Sequence, residues 1–113
     1  MKRNLEDKVV WITGAGSGIG QNAAVTLSKL GMKVILSGRN VKNLQETALK
    51  CKNNPIIKKL DIADKNQVKS VAHEIKMEFM HIDILINCAG INIENRDCDN
   101  INEYEWDDVF QTN

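Results

Sequence analysis

The chain has 113 residues, and its 15 basic and 15 acidic side chains give a formal net charge of zero and a pI near 6.7. A chain of this length fits one domain, which we place at residues 1–113. No basic stripe is available to bind nucleic acid or an anionic membrane surface. The N-terminal segment is charged, and no apolar run resembles a signal peptide or a transmembrane helix. We therefore expect a cytoplasmic protein that does not bind nucleic acid or membranes.

The few cysteine and histidine residues show no pattern of a metal site. Cys51, Cys88 and Cys98 are odd in number and form no C-x-x-C pair, which argues against a disulfide framework and against zinc. His73 and His81 have no partner at the spacing of metal ligands. The sequence predicts reduced thiols and no bound metal.

A glycine-rich segment at residues 13–20 is the most informative part of the chain. It follows the apolar run 9–12, which predicts a strand, and it leads into apolar residues at helical spacing. A strand that turns through glycines into a helix N-terminus leaves backbone N–H groups unpaired and directs the positive end of the helix dipole at the turn. This segment therefore predicts a binding site for an anion such as a pyrophosphate.

Strand and helix patterns then alternate to the end of the chain. Asp64 is the predicted N-cap of the most regular helix, with Gln67 as its capping-box partner. Residues 56–60 are less apolar than the other strands, which suits the edge of a sheet, whereas residues 82–87 are apolar almost throughout, as in a central strand. The predicted strands are 9–12, 33–37, 56–60 and 82–87, and the predicted helices begin near residues 19, 41, 64 and 102.

This alternation predicts an α/β fold, a doubly wound parallel sheet of the Rossmann type. Right-handed crossovers give the strand order 3-2-1-4 with helices on both faces. A ligand is expected beyond the carboxyl ends of strands one and four, where the strand order reverses. The sheet is predicted to be truncated after the fourth strand and the start of the next helix, and such an open edge predicts marginal stability.

The spacing of the glycine segment is T-G-x-x-x-G-x-G, with Thr13, Gly14, Gly18 and Gly20 in register. The dinucleotide fingerprint G-x-G-x-x-G does not fit, and a phosphate loop is disfavoured because no Lys followed by Ser or Thr ends the turn. The spacing resembles the cofactor turn of the short-chain dehydrogenase/reductase family. The segment 87–90, Asn-Cys-Ala-Gly, is similar to the NNAG motif of that family with Cys88 in place of its second Asn.

The resemblance implies a nicotinamide dinucleotide cofactor, NADP or NAD. No acidic residue stands at the end of the second strand, where NAD-preferring relatives accept hydrogen bonds from the ribose, and Arg39 offers a planar cation suited to a 2′-phosphate. NADP is thus the predicted cofactor and NAD the alternative, with a solvent-facing Arg39 as the other interpretation. Asp61 looks like the residue that faces the adenine, which is the predicted role, and a turn residue or a contribution to the cap of the next helix is the other interpretation. The predicted cofactor-binding residues are Gly14, Ser17, Gly18, Ile19, Gly20, Arg39, Asn40, Asp61, Ile62, Asn87, Ala89 and Gly90.

The resemblance further implies hydride transfer between the nicotinamide and a small carbonyl or alcohol substrate. The family uses a Tyr as acid and base, a Lys four positions later that lowers the Tyr pKa, a Ser and an Asn. Asn113 looks like the catalytic Asn, but the sole tyrosine, Tyr104, is followed four positions later by Asp108. We expect this chain to bind cofactor without turnover. A non-catalytic dinucleotide-binding or regulatory module is the alternative, and pairing of two copies through the helix that begins near Asn102 is a possible homo-oligomer.

Overall fold

The computed structural model describes residues 5–88, in which four strands alternate with three helices. All three strand pairs are parallel, and the strand order is β3-β2-β1-β4, which confirms the predicted order. The elements are β1 (Val9–Thr13), α1 (Gly18–Lys29), β2 (Lys33–Gly38), α2 (Val41–Lys50), β3 (Ile56–Lys59), α3 (Lys65–Phe79) and β4 (Ile84–Asn87).

Helices cover both faces of the sheet, as the doubly wound prediction requires. Successive side chains of a strand point to opposite faces, so the buried β1 and β2 contribute alternate residues to two apolar clusters. One cluster packs against α3, and the other packs against α1 and α2. The first contains Val9, Trp11, Ile35, Leu60, Val68, Val71, Ala72 and Ile75, and the second contains Val10, Ile12, Ala15, Ala24, Met32, Val34, Leu36 and Leu44.

The strand ends differ from the sequence prediction by one or two residues. β3 ends at Lys59, although the Leu60 N–H still donates to the Gly38 carbonyl at 2.9 Å. β4 begins at Ile84 rather than at residue 82, and Asp83 bonds to Val9 through its own N–H, at 2.9 Å, and through its carboxylate. Within residues 5–88, β3 and β4 are the outer strands, so the prediction of β3 as an edge strand is confirmed.

The predicted start of α3 is correct, but the capping box is made differently. Asp64 is the N-cap, and its Oδ1 accepts from the N–H groups of Asn66 and Gln67 at 3.0 and 3.2 Å. The Asp64 N–H already donates to the Asp61 carbonyl at 2.9 Å, so it is not available to Gln67. The Gln67 Oε1 instead accepts from the Asp61 N–H at 3.0 Å, which ties the end of β3 to the start of α3.

The two described cysteines are in different states. Cys51 is a free thiol, and partial burial raises its pKa against the smaller opposing effect of a hydrogen bond with Ser28. Cys88 is disulfide-bonded, so the expectation of reduced thiols is wrong at this position. Between residues 5 and 88, no group of His, Cys, Asp or Glu residues is arranged to hold a metal ion. None of the helices in this range has the apolar length that a membrane crossing requires.

Asp83 generates a prediction about stability and pH. Its Oδ2 accepts from the Val9 N–H at 2.8 Å and lies 3.0 Å from Nε2 of His81. The hydrogen bond from Val9 is the main cause that lowers the pKa of Asp83 below its ordinary value of 3.8, and the charges of His81 and Lys8 act in the same direction. Because the unfolded chain takes up the proton first, the carboxylate stabilises the fold above that ordinary value. This contribution is lost as the pH falls through the lowered pKa.

We therefore expect Asp83→Asn to lower the free energy of unfolding at pH 7 by about 1 kcal/mol, because the amide oxygen can still accept from the Val9 N–H but lacks the charge that strengthens the bond. The deficit relative to wild type should shrink between pH 5 and pH 2 in thermal melts, because wild type then loses the same carboxylate. Glu46→Gln, which removes an exposed carboxylate on α2, is the control. A deficit that stays constant across this range would show that the charge of Asp83 does not contribute.

Candidate cofactor-binding site

The carboxyl ends of the four strands lie along one edge of the sheet. In the register of β1, Thr13 pairs with Ser37 of β2 on one side and with Asn87 of β4 on the other. Gly38 pairs with Lys59 at the end of β3. The glycine segment leaves β1 at this edge, between β2 and β4. The fold therefore brings the segments after β1, β2, β3 and β4 to the same side of the molecule, where the sequence places its predicted cofactor-binding residues.

Two glycines give the turn after β1 its shape. Gly14 has φ of 72° and Gly18 has φ of 58°, values in the left-handed region that favour glycine. A Cβ on Gly20 would lie 2.0 Å from the carbonyl oxygen of Gly14, so the first turn of α1 rests directly on the turn. By contrast, a Cβ on Gly18 would meet no atom within 4 Å and would project into open space. The turn is closed by backbone contact on its inner side and open on its outer side.

The N-terminus of α1 retains the properties of an anion-binding site. Ser17 is the N-cap residue, but its side chain makes no capping hydrogen bond, and the first turn contains no acidic residue. Within residues 5–88, the N–H groups of Gly16 and Ser17 donate to no protein acceptor. Unpaired N–H groups at the positive end of a helix dipole suit a phosphate. The residues present therefore fit the pyrophosphate of a dinucleotide, with Ile19 half exposed beside them.

A side-chain hydrogen bond joins the turn to the Asn87 segment. The Thr13 Oγ1 donates to the Asn87 Oδ1 at 2.7 Å, and the Cys88 N–H donates to the Thr13 carbonyl at 2.9 Å. The first residue of the glycine pattern is thus bonded directly to the first residue of the Asn-Cys-Ala-Gly segment. The two patterns that carry the family resemblance form one structural unit.

The end of β2 is fixed from inside the sheet. The indole Nε1 of Trp11 donates to the Ser37 Oγ at 2.8 Å, and both residues are fully buried. The Ser37 carbonyl in turn accepts from the Ala15 N–H of the glycine turn at 3.1 Å. Arg39 follows directly and is exposed, while the Oδ1 of Asn40 accepts from the Asn43 N–H at 3.1 Å and caps α2. The Asn40 oxygen therefore has a structural role, and its contact with a cofactor stays a prediction.

In the segment after β3, Asp61 acts as a turn residue. Asp61 Oδ1 accepts from the Ala63 N–H at 3.0 Å, and Asp64 rather than Asp61 caps α3. Ile62 is partly buried and packs against the apolar cluster that contains Trp11. The bond to Ala63 uses one of the two carboxylate oxygens, and contact of Asp61 with an adenine stays a prediction. Ala89, Gly90 and Asn113 lie outside the described residues.

The sequence analysis missed two residues that bond to the turn from outside it and a third that bonds to one of these two. Thr47 and Gln21 bond to carbonyl groups of the turn, and Lys50 bonds to Gln21. One signal could have identified Thr47, because it lies three residues after Leu44 on the buried face of α2, where a polar residue is unusual. For Gln21 and Lys50, both surface-type residues on helices, the sequence carries no such signal.

Comparison with known proteins identifies the class. The family model for short chain dehydrogenase matches residues 8–113, and the chain belongs to this family. The chain is 39% identical over 95 residues to human dehydrogenase/reductase SDR family member 7, covering 78% of this chain and 28% of that protein. It is 36% identical over 113 residues to an uncharacterized oxidoreductase of Staphylococcus aureus (strain USA300), covering 96% of this chain and 47% of that protein. The chain spans less than half the length of both relatives.

Solved structures agree in fold. A crystal structure of levodione reductase superposes with a TM-score of 0.74 and 28% identity, over 94% of this chain and 43% of that one. The 3-ketoacyl-(acyl-carrier-protein) reductase from Brucella melitensis, complexed with NADH, gives a TM-score of 0.72 and 30% identity over 94% of this chain and 43% of that one. The Rossmann-type prediction is therefore confirmed, and the described sheet corresponds to part of a larger fold in these proteins.

The glycine geometry yields a prediction that separates close packing from backbone strain. Gly20→Ala places a methyl group against the Gly14 carbonyl and should cost about 1–3 kcal/mol of folding free energy, as overpacked sites do. Gly18→Ala meets open space and should cost only about 1 kcal/mol, for the left-handed conformation. Denaturant melts of both variants measure the difference. If Gly18→Ala were the more destabilising, the packing of α1 on the turn would be wrong.

Proposed function

We propose that this chain is the dinucleotide-binding part of an NADP-dependent oxidoreductase that acts on a small carbonyl or alcohol substrate. The observation that carries the proposal is the glycine turn with its uncapped helix N-terminus at the carboxyl edge of the sheet. Membership in the short-chain dehydrogenase family supports the reaction class. One of the similar solved structures, the Brucella reductase, is complexed with NADH.

Each predicted residue has a task in this proposal. The backbone of residues 14–20 and the first turn of α1 hold the pyrophosphate, and the absence of side chains at the glycines lets it approach. Arg39 and Asn40 hold the ribose next to the adenine, Asp61 and Ile62 meet the adenine, and the 87–90 segment passes beside the adenosine. When bound, the cofactor supplies a hydride donor or acceptor at the nicotinamide carbon C4. The protein residues bind and orient it.

The choice of NADP over NAD rests on charge at the end of β2. Arg39 is exposed directly after Gly38, and the N-cap and first turn of α2 that follow contain no acidic residue. A 2′-phosphate favours a guanidinium, which binds it through two parallel hydrogen bonds, and is repelled by a carboxylate. NAD is the alternative cofactor, and the Brucella reductase with NADH shows that a relative at 30% identity is found with the unphosphorylated form.

We propose substrate turnover only for a protein that also supplies the catalytic Ser, Tyr and Lys of the family. Tyr104 has Asp108 rather than Lys four positions later, so the 113 residues contain no Y-x-x-x-K, and we propose that they bind cofactor without reducing a substrate. Asn113 is the one residue proposed for the catalytic set. The same observation favours the second candidate, a non-catalytic dinucleotide-binding or regulatory module. A cytoplasmic location and pairing of two copies stay predictions, and the Cys88 disulfide is unusual for a cytoplasmic protein.

Direct titration tests the cofactor. NADPH and NADH are added to the 113-residue chain while nicotinamide fluorescence and the melting temperature are followed, since a ligand that binds only the folded state raises that temperature. We expect NADPH to bind more tightly than NADH. Arg39→Asp should weaken NADPH binding by about 10- to 100-fold without weakening NADH binding, because one charge-assisted contact worth about 1.5–3 kcal/mol is lost and a carboxylate at this position can accept from the ribose.

The matched control is Lys52→Asp, the same reversal of charge on an exposed residue after α2. Lys52 lines a groove with Glu6, Ser28 and Lys33, near the amino ends of β1 and β2. Lys52→Asp should therefore leave the affinities for NADPH and NADH unchanged. An NADPH/NADH affinity ratio that Arg39→Asp does not alter would refute the NADP assignment. Absence of binding by either cofactor to a cooperatively folded chain would refute dinucleotide binding itself.

A further inference from the structure

Helix α2 touches the glycine turn through a fully buried hydroxyl. The Thr47 Oγ1 donates to the Ala15 carbonyl at 2.8 Å and accepts from the Gln21 Nε2 at 2.9 Å. The same Gln21 Nε2 lies 3.5 Å from the Gly16 carbonyl, and the Lys50 Nζ donates to the Gln21 Oε1 at 3.1 Å. Two consecutive carbonyl groups of the turn therefore face a polar cluster made by α1 and α2.

These contacts fix the direction of the donors on the opposite side of the turn. All peptide bonds of the described chain are trans, and in a planar trans peptide the C=O and the following N–H point in opposite directions. When Thr47 holds the Ala15 carbonyl, the Gly16 N–H must point away from α2. In the same way, the approach of Gln21 to the Gly16 carbonyl directs the Ser17 N–H outward. The N–H groups of Gly16 and Ser17, which have no acceptor within residues 5–88, therefore point to the outer side of the turn.

Two further observations show that the turn is fixed by contacts on more than one side. The N–H of Ala15 donates to the Ser37 carbonyl at 3.1 Å, so this residue is bonded to β2 on one side and to α2 on the other. α2 also lies directly against the turn, because a Cβ on Gly16 would come within 2.9 Å of the Asn43 Cβ. A turn with this many fixed neighbours keeps its donors oriented before any anion binds, which lowers the entropic cost of binding.

We propose that Thr47, assisted by Gln21, is a positioning residue for the cofactor pyrophosphate, acting through the Ala15 and Gly16 peptides without touching the cofactor. This inference rests on the proposed dinucleotide binding. It explains why a polar side chain occupies a fully buried position on α2, next in the helix repeat to Leu44. A buried hydroxyl is tolerated because both of its hydrogen-bonding functions are satisfied, by the Ala15 carbonyl and by Gln21.

The test compares two ligands that differ in the pyrophosphate. NADPH contains it, whereas adenosine 2′-monophosphate keeps the adenine and the 2′-phosphate but lacks it. Thr47→Val removes the hydroxyl at nearly constant shape, and we expect it to weaken NADPH binding about 10-fold while the affinity for adenosine 2′-monophosphate changes less than twofold. Thr47→Ser keeps the hydroxyl and should restore NADPH binding. Calorimetric titration measures both affinities, with thermal melts to verify folding.

Ser28→Ala is the matched control, since it also removes a buried hydroxyl. Ser28 Oγ donates to the Val25 carbonyl and accepts from the Lys52 N–H, away from the turn. It should leave both affinities unchanged. If Thr47→Val does not melt cooperatively, Gln21→Ala, at a partly exposed site, takes its place with an expected two- to fivefold loss for NADPH alone.

Three outcomes count against the inference, and they are distinguishable. Unchanged NADPH binding by a folded Thr47→Val chain, or by Gln21→Ala where that variant replaces it, would show that the turn does not need these contacts. Equal losses for NADPH and for adenosine 2′-monophosphate would show a general structural role. Failure of the wild-type chain to bind NADPH while it melts cooperatively would refute the proposed function, and the inference with it.

Discussion

The close approach of Gly20 to the Gly14 carbonyl is the constraint on which the rest of the site depends. With no Cβ at Gly20, the first turn of α1 lies directly on the turn that leaves β1, at a distance that any side chain would prevent. This contact sets where α1 begins, and it places the positive end of the helix dipole beside the carboxyl edge of the sheet. The left-handed conformations of Gly14 and Gly18 follow, because the chain must reverse within a few residues to make it. Gly14, Gly18 and Gly20 therefore serve a single structural requirement, the close packing of α1 on the turn.

The residues that surround the turn provide hydrogen-bond partners for backbone groups that the turn itself does not pair. A turn of this shape has carbonyl groups on its inner side that a core of apolar residues cannot satisfy, and an unsatisfied buried carbonyl costs about 1–3 kcal/mol. Thr47 supplies the hydrogen bond to the Ala15 carbonyl, and the Ser37 carbonyl accepts the Ala15 N–H. Trp11 in turn bonds to the Ser37 hydroxyl from within the sheet. The polar groups of β2 and α2 thus form a continuous support behind the turn, and the outer N–H groups remain for a ligand.

Most of the fold could be predicted from the sequence because it depends on local patterns. Apolar runs predicted β1 and β2, the Asp64 cap predicted α3, and chain connectivity with right-handed crossovers predicted the strand order. The prediction failed in details that depend on particular hydrogen bonds. β4 begins at Ile84, directly after Asp83, which bonds to Val9, 74 positions away. Gln67 bonds to Asp61 because the Asp64 N–H is already used. Thr47 and Ala15 are 32 positions apart, and no pattern along the chain indicates that a helix hydroxyl will meet a turn carbonyl.

Zero net charge is compatible with binding the phosphates of a dinucleotide, because the relevant electrostatic potential is local. The first turns of α1 and α2 contain no acidic residue, and α2 is preceded by Arg39 and carries Lys50 close to the turn. The carboxylates at the same edge, Asp61 and Asp64, accept hydrogen bonds from backbone N–H groups at the start of α3. They follow β3, two strands away from the turn in the sheet, and screening by salt weakens their effect over such distances. On the side proposed for the adenine, Asp61 and Asp64 lie in sequence between Lys59 and Lys65, whereas the first turn of α1, on the side proposed for the phosphates, contains no acidic residue. The unpaired N–H donors and the positive end of the α1 dipole, rather than the net charge of the chain, would therefore attract the phosphates of a dinucleotide.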